Sequence, residues 1–237
     1  MTELEQRWRR VLEGKNEAER ASGRETGSVC LLAISKFQPA SAIAELFRLG
    51  QLDFGENYMQ EARAKQAELS DLAIRWHATG PVQTNKAKEV AGNFALLHTL
   101  GTEALARAIL RRLPEGGRQD VLLQVNIGEE PQKSGVAPAE LPGFVETLLE
   151  AGLVAENGAS LRLRGLMCLP PNCGEGELAR PYFVRLRELR DDLERRFDLE
   201  LPELSMGMSG DYRQAIEEGA TIIRVGTDIF GARPRKA

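Results

Sequence analysis

Val29-Cys30-Leu31-Leu32-Ala33-Ile34, followed at once by Ser35-Lys36 and then by a helix pattern that starts at Pro39, is the stretch on which the reading of this chain turns. The run is short, dense in apolar residues and bounded by a turn, as a strand buried in a parallel sheet reads. A core strand has no structural use for an ammonium, so Lys36 at its C-terminal mouth is placed for chemistry. The competing reading is a lysine whose stem lies on apolar surface while its head reaches water.

Working outward from that strand, the two periodicities alternate. Leu4, Trp8, Val11 and Leu12 recur at helical spacing before it, and that helix stops ahead of the breakers Ser22-Gly23 and Gly27-Ser28. After Lys36 a helix carries Ile43, Leu46 and Phe47, and Gln51 to Phe54 reads as a second strand. Helix 58–69, strand 73–78, a helical segment 83–90 and strand 94–98 follow. Leu105, Ile109 and Leu113 stripe a helix, 121–126 is a fifth strand, and Leu141, Val145, Leu148 and Leu149 stripe the next helix. Strand 161–168, a long helix with Tyr182, Leu186, Leu189, Leu193 and Phe197 on one face, a short strand at 204–206, a helix around Ala215 and strand 221–225 complete the chain. Eight strands alternating with helices fit a single α/β domain over 1–237, a (β/α)8 TIM-type barrel with an extra N-terminal helix; a doubly wound open sheet is the alternative.

The charges, 31 basic against 35 acidic residues for a formal net charge of -4, are interspersed along the chain. That argues against a nucleic-acid footprint. Cys30, Cys168 and Cys173 lack the paired spacing of a zinc site and read as reduced thiols, with no metal implied. No apolar stretch approaches membrane-spanning length and the N-terminus has no signal core, so a cytoplasmic protein, off the membrane and monomeric, is expected.

In a barrel of this kind the active face collects residues at the C-terminal ends of strands, and the last two loops often bind phosphate. After the seventh strand stands Ser205-Met206-Gly207-Met208-Ser209-Gly210-Asp211, and after the eighth Gly226-Thr227. Glycines allow close backbone approach and the hydroxyls of Ser205, Ser209 and Thr227 are donors. Strand one lies beside strand eight in a closed barrel. A lysine and a phosphate site at that seam suggest an aldehyde cofactor with both handles, and pyridoxal 5′-phosphate (PLP) meets that description. Arg224 shares a face with Gly226 and, if that face is the interior, can donate to the pyridine nitrogen; an arginine held in a polar layer is the other reading. Asn57 either hydrogen-bonds the cofactor's ring oxygen or caps the next helix. His77 and His98, near strand ends, read as satisfied core histidines, with a role as bases the alternative.

Ser35-Lys36, Phe54-Gly55-Glu56-Asn57-Tyr58-Met59-Gln60-Glu61, Trp76-His77-Ala78-Thr79-Gly80, Gln83-Thr84-Asn85-Lys86, Gln124-Val125-Asn126-Ile127, Lys133-Ser134-Gly135, Leu163-Arg164-Gly165-Leu166-Met167, Leu204 to Ser209 and Arg224-Val225-Gly226-Thr227 with Ile229 to Arg233 together resemble the pyridoxal phosphate homeostasis protein family. The similarity runs from about residue 28 to 233, with departures at Pro81-Val82, Leu97 to Leu100 and Gly210. The resemblance implies a barrel of the alanine-racemase type, PLP on the strand-one lysine as an aldimine, and a role in vitamin B6 and amino-acid balance without efficient catalysis. Partners on that view are the cofactor itself and, transiently, PLP-dependent apo-enzymes.

A PLP-dependent amino-acid racemase is the alternative. In the family's racemases a second base comes from an additional β-domain of a partner subunit. The sequence runs out at the barrel, and of Tyr58, Tyr182 and Tyr212 only Tyr58 falls in a motif near the expected mouth. An arginine on the pyridine nitrogen would also weaken the ring as an electron sink. The carrier is therefore the expectation.

Overall fold

The computed structural model describes residues 1–155, 160–171 and 176–231; Cys173 and the tail after Gly231, both named above, lie outside the described residues. Among them, eight parallel strands close into a barrel in chain order. They are β1 (Cys30–Ile34), β2 (Asp53–Glu56), β3 (Arg75–Ala78), β4 (Leu96–Leu100), β5 (Arg118–Val125), β6 (Ser160–Cys168), β7 (Glu203–Ser205) and β8 (Ile222–Val225). Closure is made by β1 against β8, with Leu32 opposite Arg224 and Ala33 opposite Val225.

The helices are α1 (Glu3–Ala21), α2 (Ala40–Arg48), α3 (Met59–Glu68), α4 (Ala87–Val90), α5 (Glu103–Leu110), α6 (Leu141–Glu150), α7 (Arg180–Phe197), α8 (Tyr212–Glu217) and α9 (Thr227–Phe230). The extra helix α1 starts at Thr2, whose hydroxyl accepts from the Glu5 N–H at 3.1 Å, and Glu3 and Glu5 in its first turn suit the helix dipole. It packs on α8 and α9. Near its end buried Glu19 receives the Val29 N–H at 2.6 Å and the Lys15 ammonium at 2.9 Å, so α1 delivers the chain into β1.

Two elements differ from the sequence reading. The segment expected as one helix over 83–90 is a 3-10 turn, Thr84–Lys86, running into the single turn of α4. Pairing of β5 with β6 begins at Arg118 opposite Ser160, earlier than the apolar run suggests. The added residues include Asp120, whose carboxylate pairs with Arg162 of β6 at 2.6 Å. Strand ends at a solvated mouth carry polar side chains, so hydrophobicity does not reveal them. The register of that pair shifts next to Gly165, whose φ of +147° and 1.8 Å clearance from the Glu203 carbonyl oxygen leave no room for a Cβ.

Side chains alternate across each strand. Leu31, Ala33, Phe54, Trp76, Leu97, Leu123 and Ile223 face outward into the layer beneath the helices. Leu32, Leu96, Leu122, Met167 and Ile222 face inward and form a separate apolar layer across the barrel. Continuing the β1 alternation, Leu32, Ile34 and Lys36 share the inner side. Free Cys30 and Cys168 are held as thiols by burial, which pushes both upward, Cys168 to about 12. Among the described residues no helix is long and apolar enough to cross a membrane.

Candidate functional site

Lys36 sits in the turn leaving β1, and that turn is built from beneath. Ser35 is fully buried; its N–H donates to the Gly55 carbonyl at 3.0 Å and its hydroxyl to Glu56 Oε1 at 2.7 Å. Buried Lys65 of α3 donates to the Ser35 carbonyl at 2.7 Å, to Glu56 Oε1 at 2.7 Å and to Glu61 Oε1 at 2.6 Å. Glu61 in turn accepts the Phe37 N–H at 2.5 Å. Phe37 has φ +65°, a left-handed conformation rare for an aromatic residue, and its ring lies 5.1 Å from that of Tyr58. One buried cation thus pins both flanks of Lys36. Burial raises the Glu56 carboxyl above its ordinary range against the opposing pull of Lys65 and Ser35, with Glu61 adding repulsion.

At the C-terminal mouth a cavity of about 480 Å³ is walled by Ile34, Lys36, Asn57, Thr79, Lys133 and Met167, by Leu169, Pro170, Met208, Ser209 and Gly210, and by Arg224, Gly226 and Thr227. Six of the seven residues expected from the sequence therefore meet there: Lys36, Asn57, Ser209, Arg224, Gly226 and Thr227. Ser205 does not. It lies opposite Ile222 in the β7–β8 register, one layer below Arg224, fully buried, with its hydroxyl taken by Arg224 Nη1 at 2.7 Å and His98 Nδ1 at 2.9 Å. Asn57 is not a cap, since Tyr58 holds that position; its carboxamide oxygen accepts from the Thr79 hydroxyl at 3.0 Å. Gly226 is also close to β1, where a Cβ on it would come within 3.3 Å of the Ile34 carbonyl oxygen.

Sequence reasoning missed Thr79, Lys133 and the network under Lys36 as parts of the site. Lys133 donates to the Pro170 carbonyl at 2.8 Å and pairs with Glu130 at 2.5 Å, which holds an ammonium across the mouth from Lys36. A usable signal for the network was the Glu61 to Lys65 spacing on one helix face. Burial drives the Arg224 guanidinium downward, partly offset by Cys168 and Asp211; a guanidinium keeps its proton in proteins.

A larger cavity, about 820 Å³, opens at the opposite mouth among Trp8, Lys15, Asp53, Arg75, His77 and Glu203. Its charges are largely engaged: Lys15 pairs with Glu19, Asp53 with Arg75 and Asp120 with Arg162, and Glu203 accepts from the Thr221 hydroxyl at 2.5 Å. The N-terminal face of such barrels serves stability, and catalytic or binding groups collect at the C-terminal face, so the smaller cavity is the candidate site.

Residues 24–234 match the family model described as alanine racemase, N-terminal domain. The pyridoxal phosphate homeostasis protein of Pseudomonas aeruginosa is 45% identical over 218 residues, 92% of this chain and 90% of that protein. The chain belongs to the pyridoxal phosphate homeostasis protein family. Another member, from Aquifex aeolicus, is 43% identical across 96% of this chain and 97% of its own length. Among solved structures, PipY of Synechococcus elongatus with PLP bound superposes with a TM-score of 0.76 at 36% identity, covering 90% of this chain and 99% of PipY. Alanine racemase of Corynebacterium glutamicum, 18% identical, has a TM-score of 0.65 over 94% of this chain and 60% of the racemase, a likeness of fold.

Proposed function

We propose that this family member binds PLP in the C-terminal cavity, covalently through Lys36, and serves vitamin B6 homeostasis by holding the cofactor and passing it to PLP-dependent apo-enzymes. The observation that carries the reading is the composition of the cavity wall. It brings half-buried Lys36, the Ser209 and Thr227 hydroxyls, the backbone at Gly226 and a buried guanidinium onto a space of about 480 Å³, a size suited to one small cofactor. The PLP bound to PipY and the names of the curated relatives support the choice of ligand.

When bound, the cofactor's aldehyde supplies an electrophile for the Lys36 amine. Ser209, Thr227 and the Gly226 backbone would offer neutral donors to its phosphate, Arg224 would donate to the ring nitrogen and Asn57 to the ring oxygen. A guanidinium does not surrender its proton, so Arg224 there would leave that nitrogen unprotonated. Among the described residues the wall carries no carboxylate, histidine or tyrosine, and its second amine, Lys133, is engaged with Glu130 and Pro170. Moving a substrate proton needs a positioned acid or base, worth about 10²–10⁴-fold each, so the wall favours holding over turnover.

Borohydride reduction of the PLP-loaded protein and peptide mapping should place the pyridoxyl mass on Lys36; finding it on Lys133 or Lys86 overturns the assignment. Ser209→Ala or Thr227→Val should weaken PLP binding about tenfold, the scale of one charge-assisted hydrogen bond, and leave pyridoxal binding unchanged. Incubation with L- or D-alanine in deuterated water should give little α-hydrogen exchange, and turnover near 1 s⁻¹, about the low end for ordinary enzymes, would make the protein a racemase.

A further inference from the structure

Five polar side chains run through the barrel from one mouth to the other. Asp53 and His77 line the lower cavity, Arg224 lines the upper one, and His98 and Ser205, both fully buried, lie between them. His77 Nε2 is 3.2 Å from Asp53 Oδ1, His77 Nδ1 is 3.0 Å from His98 Nε2, and His98 Nδ1 is 2.9 Å from Ser205 Oγ. Arg224 Nη1 closes the series on Ser205 Oγ at 2.7 Å, and its Nη2 donates to the Cys168 carbonyl at 2.8 Å.

For neutral rings, the ends of this series decide where every proton between them sits. A guanidinium can only donate and an ionised carboxylate can only accept. Asp53 is ionised: burial raises it, but the hydrogen bonds from His77 and Arg75 win and hold it at about 2. Burial, the largest cause, pushes His98 well below the ordinary imidazole range, so His98 is neutral. Of the two neutral tautomers of His77, only the one with its proton on Nε2 can donate to Asp53, and it accepts at Nδ1. His98 must donate from Nε2 and accept at Nδ1, and Ser205 must donate its proton to His98. With neutral rings, any other arrangement sets two N–H groups, or two lone pairs, against each other.

We propose that His98 is a positioning residue for Arg224: by accepting the Ser205 proton it turns the hydroxyl's lone pairs toward the guanidinium, and His77 and Asp53 lock the tautomer that lets it do so. Ser205 is thereby a support for the arginine rather than a phosphate donor. The effect on the cofactor rests on the reading of Arg224 given under the proposed function; the proton arrangement and the hold on Arg224 do not.

The chain has two histidines, which makes the arrangement directly observable. In 15N-labelled full-length protein at pH 7 without added ligand, with His77→Gln for assignment, both rings should be neutral with the proton on Nε2. A proton on His98 Nδ1, or a doubly protonated ring, overturns the relay. The hold on Arg224 is read from its Nη resonances, assigned with Arg224→Lys: resolved in the parent, averaged in Ser205→Ala and His98→Leu, restored in His98→Asn, whose Oδ1 falls where Nδ1 accepts. Unaveraged resonances in His98→Leu overturn the positioning role, and if that variant fails to fold, Ser205→Ala answers the same question. Titration with PLP should then show both single variants and the double variant weakened by a similar factor, about tenfold, with the same shift of the visible band. Affinity and band unchanged in the variants would overturn the effect on the cofactor. A parent protein with the expected tautomers that binds no PLP would sink the cofactor reading alone.

Discussion

The two mouths of the barrel are built from the same residue types and used in opposite ways. At the N-terminal mouth acids meet bases directly: Asp53 holds Arg75 at 2.5 Å and Asp120 holds Arg162 at 2.6 Å, with His77 completing the Asp53 shell. At the C-terminal mouth the ion network lies under the wall. Lys65, Glu56 and Glu61 fix the backbone on either side of Lys36, while the cavity receives hydroxyls, an amide and cations. Charge spent on itself stabilises a fold. Charge used to aim a neighbouring group leaves that group available to a ligand.

The largest expected effect tests whether the C-terminal network carries the Lys36 turn. Lys65→Met removes the cation from a buried carboxylate, and breaking one side of a buried pair costs about 3–5 kcal/mol. Urea denaturation measures it; a loss under about 1 kcal/mol would mean the turn stands without the network.

Acid should separate the mouths by sign. Asp53 is depressed to about 2, so its contribution is fully present above the ordinary carboxylate pKa and is lost as pH falls toward 2, on the order of 1–2 kcal/mol. Glu56 is raised, chiefly by burial. Its neutral form favours the fold below the ordinary carboxylate pKa, and that contribution is lost as pH rises through the higher folded value. Stability measured from pH 7 to 2 should therefore decline less steeply on acidification in Asp53→Asn, and decline more steeply in Glu56→Gln. The same slope in both variants would remove the contrast.

The smallest stability effect should come from the residue with the largest ligand effect. Lys36 is half-buried in a turn, so Lys36→Ala should change unfolding free energy by roughly 0.5 kcal/mol or less while abolishing covalent PLP attachment. A cost comparable to that of Lys65→Met would make Lys36 part of the scaffold.

What could be read from the sequence is instructive in its failures. The apolar run before Ser35-Lys36 located β1 to within a residue, and alternation put Arg224 on one face with Gly226, because the period of two is a local property of the backbone; the barrel made that face the inner one. Ser205 obeys the same alternation and also points inward, yet it misses the cavity by one layer. Asn57, read as a cap or a ligand group, bonds Thr79 of the next strand. His77 and His98 were legible as core histidines but not as neighbours 3.0 Å apart.

The sequence by itself determined the alternation of strand and helix, the inner and outer faces of the strands, and the family. Only the closed barrel decided how deep each inward side chain lies and what it meets. Depth follows from the register of every strand against the next, summed around the ring. The partners of Ser205, Arg224 and Lys65 come from strands and helices far away in the chain, and no local periodicity carries that information.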